Sequence, residues 1–225
     1  MTVRGRVGVL AACAVVAVLV ALYAAWTSPP PTPLPPPGSV HLGPDPGENV
    51  ASYLAVLPAT LPPPATVAAA LVQFTAERTT ADAVATVAGT TPLTAVFRVP
   101  MTRVQTALRF EALESGVPLR TALDSARQRA GAAAAADAGR LTGRPQAVAA
   151  AEAADLDVPT CTCVLALVVQ GDGTALTQLA TRTGVRAVDA APAGTTSREL
   201  ALSPLLPDQT ERADPLPDDG GVAGS

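Results

Sequence analysis

Cys161-Thr162-Cys163 is the arrangement in this 225-residue chain that most directly invites chemistry. Two thiols one residue apart can join, exchange with other thiols or share a metal ion. On an extended strand their Cα atoms stand about 6.6 Å apart with both side chains on one face. A disulfide needs Cβ atoms about 4 Å apart, so a bond within the pair requires a bend, and Pro159 just upstream permits one. Four readings of Cys161 and Cys163 stay open: two small buried thiols, a local disulfide at a strand entrance, bridges to another chain, and a redox or metal site. The metal reading lacks partners, because the sole histidine, His41, lies among prolines and glycines.

That histidine bears on catalysis as well. A Ser-His-Asp or Cys-His device needs a histidine held by the fold, and His41 reads as a solvated linker residue. Carboxylate chemistry would draw on Glu152, Asp155 and Asp157, which read as solvated acids on a helix and its exit loop. Asp172-Gly173 is a turn and helix cap more than a cation loop. Gly171, Gly173 and Gly184 lack the spacing of a phosphate-cradling loop. The expectation is a protein that is not an enzyme, with no catalytic, cofactor-binding or metal residue, no cofactor, and Cys161 and Cys163 as a possible disulfide or redox pair.

The elements that carry these residues begin with an anchor. Val7 to Trp26 is an unbroken apolar run of 20 residues behind Arg4 and Arg6. At about 1.5 Å per residue it reaches about 30 Å, the thickness of a bilayer's hydrocarbon layer. The arginines keep the N-terminus in the cytoplasm, which puts everything after Trp26 outside the cell membrane. A cleaved signal has a shorter apolar core, and no small-x-small pattern closes this one. Leu10-Ala11-Ala12-Cys13 spells a lipoprotein box, but only Val7 to Ala12 precede it, so Cys13 reads as an ordinary helix residue.

Setting aside Arg4 and Arg6 leaves 13 of the 15 basic residues, all arginine, against 19 acids, a net charge of −6 on the exported part. Such a surface argues against nucleic acid and anionic lipid headgroups as partners. Beyond the anchor the aromatics are Tyr53, Phe74, Phe97 and Phe110, too few for a stacking platform for sugars or bases. The segments read as a cytoplasmic stub (1–6), a transmembrane signal anchor (7–26), a proline-rich linker (27–48), an extracytoplasmic α+β domain (49–206) and a disordered acidic tail (207–225). The linker's fixed φ angles favour an extended spacer of up to roughly 60 Å. The tail has the acids, prolines and glycines of a segment without a fold.

Within the domain, Asn49 caps a short helix through Leu57 that Pro58 stops. Strands are expected at Thr66–Phe74, Leu93–Val99 and Val104–Ala112, the last with Val104, Leu108 and Phe110 facing a core and Arg109 and Glu111 facing water. Thr80 caps a helix with Ala81, Val84, Ala85 and Ala88 inward. Pro118 opens a long alanine-rich helix to about Asp137, and a second runs from Pro145 to Ala154. Strands at Cys163–Val169 and Val185–Ala190 flank a helix with Leu176, Leu179 and Ala180 inward. An offset of 95 lays this last β-α-β unit over the first. Two such units are the ingredients of an α+β fold with a ferredoxin-like or split β-α-β sheet, here with an alanine-rich helical segment and preceded by one transmembrane helix. The strand and helices between the units are then an insertion, or the second crossover if the first three strands and the long helix form the core.

The phrases LGPDPGENVASYLA at 42–55 and GVRAVDAAPAGT at 184–195 sit in a layout that resembles uncharacterised single-pass, signal-anchored extracytoplasmic proteins of GC-rich bacteria. That resemblance implies location and no activity. The module of strand, helix ending at Gly184 and Val185-Arg186-Ala187-Val188-Asp189 is similar to the last β-α-β unit of subtilisin-type propeptides, which are ferredoxin-like inhibitors and folding aids. The functions that follow are three: a membrane-tethered protein-interaction or scaffold module facing an unknown envelope partner, a propeptide-like inhibitor or regulator of an exported protease, and a thiol-disulfide protein using the Cys-x-Cys pair.

Overall fold

The computed structural model describes residues 35–222. The expected stub, anchor and first part of the linker lie outside them. Among the described residues no helix is long and apolar enough to cross a membrane. The fold is mixed α+β. In chain order come β1 (Val40–Leu42), α1 (Val50–Val56), β2 (Val67–Arg78), α2 (Thr80–Thr86), β3 (Thr91–Phe97), β4 (Arg109–Ala112), α3 (Leu119–Arg140), α4 (Gly143–Asp157), β5 (Val164–Asp172), α5 (Gly173–Ala180), β6 (Val185–Ala190) and β7 (Leu200–Leu202).

Local chemistry explains most boundaries. The Asn49 side chain accepts the Ser52 N–H at 3.0 Å to cap α1, and Pro58 sits in the 3-10 turn Leu57–Ala59 that ends it. Asp172 caps α5 by accepting the Ala175 N–H at 2.8 Å. The cap of α2 is Thr79, one residue before the expected Thr80, and its hydroxyl accepts the Asp82 N–H at 3.2 Å. That shift rotates the helix: Thr80, Ala83 and Val87 are buried, while Ala81, Ala85 and Ala88 face solvent. Ala180 is likewise exposed, with Leu176 and Leu179 alone of the expected trio inside. The two capped helices therefore align at an offset of 93, Asp172 with Thr79 and Leu176 with Ala83, and not at 95.

The five strands of the main sheet run β4-β3-β5-β2-β6, every neighbouring pair antiparallel. β5 lies between β2 and β3, and β2 lies between β5 and β6, so each β-α-β unit straddles a strand of the other. β4, α3 and α4 leave this pattern at the β3 edge as an insertion. β2 and β5 are central and read as continuous apolar runs because both of their faces are covered. On one face α2, α3 and α5 bury Val72, Phe74, Phe97, Leu123, Leu167 and Leu179. Each such side chain contributes about 1.5–3 kcal/mol when fully buried.

The other face is covered by the two ends of the described chain. β1 pairs in parallel with β7, Val40 opposite Leu200 and Leu42 opposite Leu202, and Leu42 packs with Leu71, Val96, Leu165 and Val168. The domain thus starts before residue 49. His41, read as a solvated linker residue, is part of β1 and stands 3.8 Å from Asp45.

The acidic tail also departs from expectation. Over residues 207–222 it forms a strap held by backbone and arginine hydrogen bonds. Ala213 N–H donates to Glu48 O, Val50 N–H to Glu211 O and Gly220 N–H to Arg103 O, at 2.7–2.9 Å. The Arg186 guanidinium donates to the carbonyls of Leu206, Pro207 and Gln209. A Cβ on Gly220 would overlap the Thr102 carbonyl, so the glycine permits the close approach. The composition that argues against a core does not prevent the backbone from serving arginines that the sheet presents.

β4 corrects a third expectation. Regular pairing starts only at Arg109, and Val104 is joined to Met101 by an isolated bridge. The face expected to meet water is the one that meets the helices. Arg109 is ion-paired to Glu152 and Asp137, and Glu111 to Arg129, while Phe110 is 45% exposed on the opposite face. Paired charges can occupy a covered face that an apolar pattern would otherwise claim.

Candidate functional site

The candidate residues are dispersed, and their placement decides what each can do. Cys161 and Cys163 form a disulfide with Cα atoms 5.4 Å apart. The pair lies in the loop between α4 and β5, where a turn with the Cys161 N–H donating to Val158 O supplies the bend that an extended strand lacks. Cys163 is fully buried in the core and Cys161 partly so. Thiol titration of the denatured chain should find two more thiols after reduction than before, those of Cys161 and Cys163. Because so short a ring removes little chain entropy, reduction should cost only about 1–2 kcal/mol of stability. Three titratable thiols before reduction would contradict the pairing.

The three acids expected together on a solvated face are separated. Asp155 and Asp157 are not buried, but Glu152 is 2% exposed. Its two oxygens accept the Ala107 N–H and an Arg109 N–H, both at 2.6 Å. It therefore clamps α4 to the chain leading into β4, and with Arg109 and Asp137 it lines a surface cleft of about 370 Å³. Asp172 acts as the cap of α5. Among the described residues no group of three His, Cys, Asp or Glu side chains is placed to hold a metal ion.

A second buried polar cluster was invisible in the sequence. Asp189 on β6 accepts the Gly43 N–H at 2.8 Å and the Tyr53 hydroxyl at 3.1 Å. Gln73 on β2 donates to the Tyr53 oxygen at 2.7 Å and accepts the Leu205 N–H at 2.6 Å. One cluster thereby ties the incoming segment, α1, the sheet and the segment after β7 together. Gly43 has φ +113, and a Cβ there would overlap the Ser203 carbonyl. Burial pushes the Asp189 carboxyl up, against which the Gly43 N–H and the Tyr53 hydroxyl favour its ionised form. Burial and the adjacent carboxylate push the Tyr53 phenol up too.

The sign of the linkage is fixed by that direction. An acid whose folded pKa exceeds its unfolded value holds more protons when folded. Its share of stability is therefore greatest below the ordinary aspartate range and is lost as pH rises through the raised folded value. Asp189→Asn should abolish this loss, so the difference in urea midpoint between variant and parent should grow in the variant's favour from pH 4 to pH 8. A flat difference profile would remove Asp189 as the cause.

Several surface clefts are open among the described residues, and one of them has chiefly apolar walls. A cleft of about 330 Å³ runs beside β6, lined by Leu54, Leu57, Pro58 and Leu61 on one side, Thr177 and Ala180 of α5 with the following Thr181 on the other, and Arg186, Ala187 and Val188 along its floor. Its volume falls at the lower end of ligand pockets, and its walls are chiefly apolar. Burial lowers the Arg186 pKa, but its guanidinium is turned to the strap's carbonyls. The elements of this cleft are legible along the chain, and only their juxtaposition makes it. No family model, curated protein or solved structure matches the chain.

Proposed function

We propose that the chain is a membrane-tethered extracytoplasmic module that binds a protein partner at the cell envelope by contact, without catalysing a reaction. The observation that carries this reading is the open apolar cleft beside β6, set against the internal use of the buried polar groups. Glu152, Asp189 and Gln73 each serve backbone N–H groups or neighbouring side chains, whereas Leu54, Leu57 and Pro58 overhang a space that none of the described residues fills. The apolar run at 7–26 and the flanking arginines support the tether and its orientation. A photo-crosslinking residue at position 181, on the cleft rim, should capture a protein from the membrane fraction of intact cells. The same residue at position 117, where Val117 is exposed elsewhere, should not. Equal capture at both positions, or recovery of the chain from the cytosol, would overturn the proposal.

The strand order β3-β5-β2-β6 supports assigning these four strands, with α2 and α5, to a ferredoxin-like arrangement carrying β4, α3 and α4 as an insertion. That assignment favours one alternative, a propeptide-like inhibitor or regulator of an exported protease. Stoichiometric slowing of a subtilisin-like protease by the full chain would select it over the scaffold reading.

A further inference from the structure

We infer that the occupant of the cleft is an extended peptide segment of the partner, added to the sheet at Val188 with an apolar side chain seated under Leu57 and Pro58. This rests on the contact reading above and specifies its chemistry. β6 is the last strand of the sheet. In an antiparallel pair, residues that exchange hydrogen bonds alternate with residues whose amides point away. Ala191 donates to Ala69 O at 2.8 Å. Two steps back along the register, Asp189 faces Leu71 and then Ala187 faces Gln73, which makes these the bonded pairs. Val188 and Ala190 fall between them and direct N–H and C=O out of the sheet.

The two outward positions differ in what meets them. Ala190 N–H donates to the Thr60 hydroxyl at 3.2 Å. For Val188 no side chain or backbone group of the described residues answers the outward N–H and C=O. Val188 is 3% exposed and forms part of the cleft floor, so whatever reaches its amide comes through the cleft. An added strand would pair these outward groups with two main-chain hydrogen bonds.

The occupant's chemistry follows from these groups. It must offer an acceptor and a donor on one backbone and an apolar group beside them, which an extended peptide does and a hydrocarbon does not. The Arg186 charge is engaged by the strap's carbonyls, so the floor offers no free ion for an acidic side chain. The walls are Leu54, Leu57 and Pro58 on one side and Ala180 on the other, which suits an aliphatic side chain.

The test uses the full chain and random dodecapeptides displayed on phage, with enriched sequences resynthesised. Peptides should be enriched, and methylating one backbone nitrogen at alternating positions should weaken binding at least tenfold. Ala180→Arg, at an exposed site, should do the same while leaving the unfolding midpoint unchanged, and hydrogen exchange at the Val188 amide should slow on binding. Strand addition is overturned if no peptide is enriched, if every N-methyl variant binds within twofold, or if Ala180→Arg disrupts a dimer of this chain instead of peptide binding. Capture through position 181 in cells alongside any of these results would retain the contact reading and discard strand addition, whereas failure of both would discard both.

Discussion

Glu152→Ala should lower stability by about 3–5 kcal/mol, the cost of leaving a buried charge without its partner. Glu152 Oε2 lies 2.6 Å from Arg109 Nη2, with the side chains only 3% and 9% exposed. The substitution also strands the Ala107 N–H, which Glu152 Oε1 accepts. Asp137 remains 3.1 Å from Arg109, yet it sits on α3 and cannot replace a contact that joins α4 to β4. Arg109 Nε has no hydrogen-bond partner among the described residues. The double variant Arg109→Met with Glu152→Leu should recover most of the stability, because apolar residues of similar volume replace a buried pair at little net cost. Urea unfolding of the three variants at neutral pH checks both points. A single-variant loss under about 1 kcal/mol would mean that water reaches the pair.

Ending the chain after Leu206 should cost about 3–6 kcal/mol, judged from hydrogen bonds to charged groups at about 1.5–3 kcal/mol each. The truncation removes two of the three carbonyls that hold the Arg186 guanidinium. It also removes the Glu211 carbonyl that accepts the Val50 N–H at the start of α1. The exposed pairs Arg103–Asp219 and Arg144–Asp218 are lost as well. Hydrogen bonds from Arg103, and from Gln105 N–H with Arg144, hold the Asp219 and Asp218 carboxyls below their ordinary values. Their contribution is therefore present above the ordinary aspartate range and disappears as pH falls through the depressed folded values. Salt screens such pairs, so Asp218→Asn with Asp219→Asn should matter far less than truncation. Thermal unfolding separates the two, and a truncated chain that melts within about 2 °C of the parent would show the strap to be dispensable.

What could be read along the chain was local. Asn49, Asp172, Gly89 and Gly184 mark helix ends by rules that involve only a few neighbours, and the helices and β6 lie where those rules put them within a few residues. The apolar runs in β2 and β5 read as strands along the chain, but their central places in the sheet were set by the tertiary structure. Errors came where a distant partner decides the outcome. Thr80 lost the cap to Thr79 while its hydroxyl donates to Asp124 on α3 at 2.7 Å. Arg109 and Glu111 point inward because arginine and acids on the helical insertion are waiting for them. Nothing near Asp189 in sequence announces that Gly43 and Tyr53 will converge on it.

By itself the sequence determined the order of elements and the apolar content of each, since capping, proline geometry and hydrophobic periodicity act over a turn or a strand. It also supplied the 20-residue apolar run and basic flank on which the proposed tether rests. Tertiary structure alone decided that the two β-α-β units interleave, that the ends of the described chain close the second face of the sheet, and that a cleft opens beside Val188. The physical reason is range: hydrogen bonds and buried charges are satisfied by whichever group arrives in space, and that identity is set only once the chain has packed.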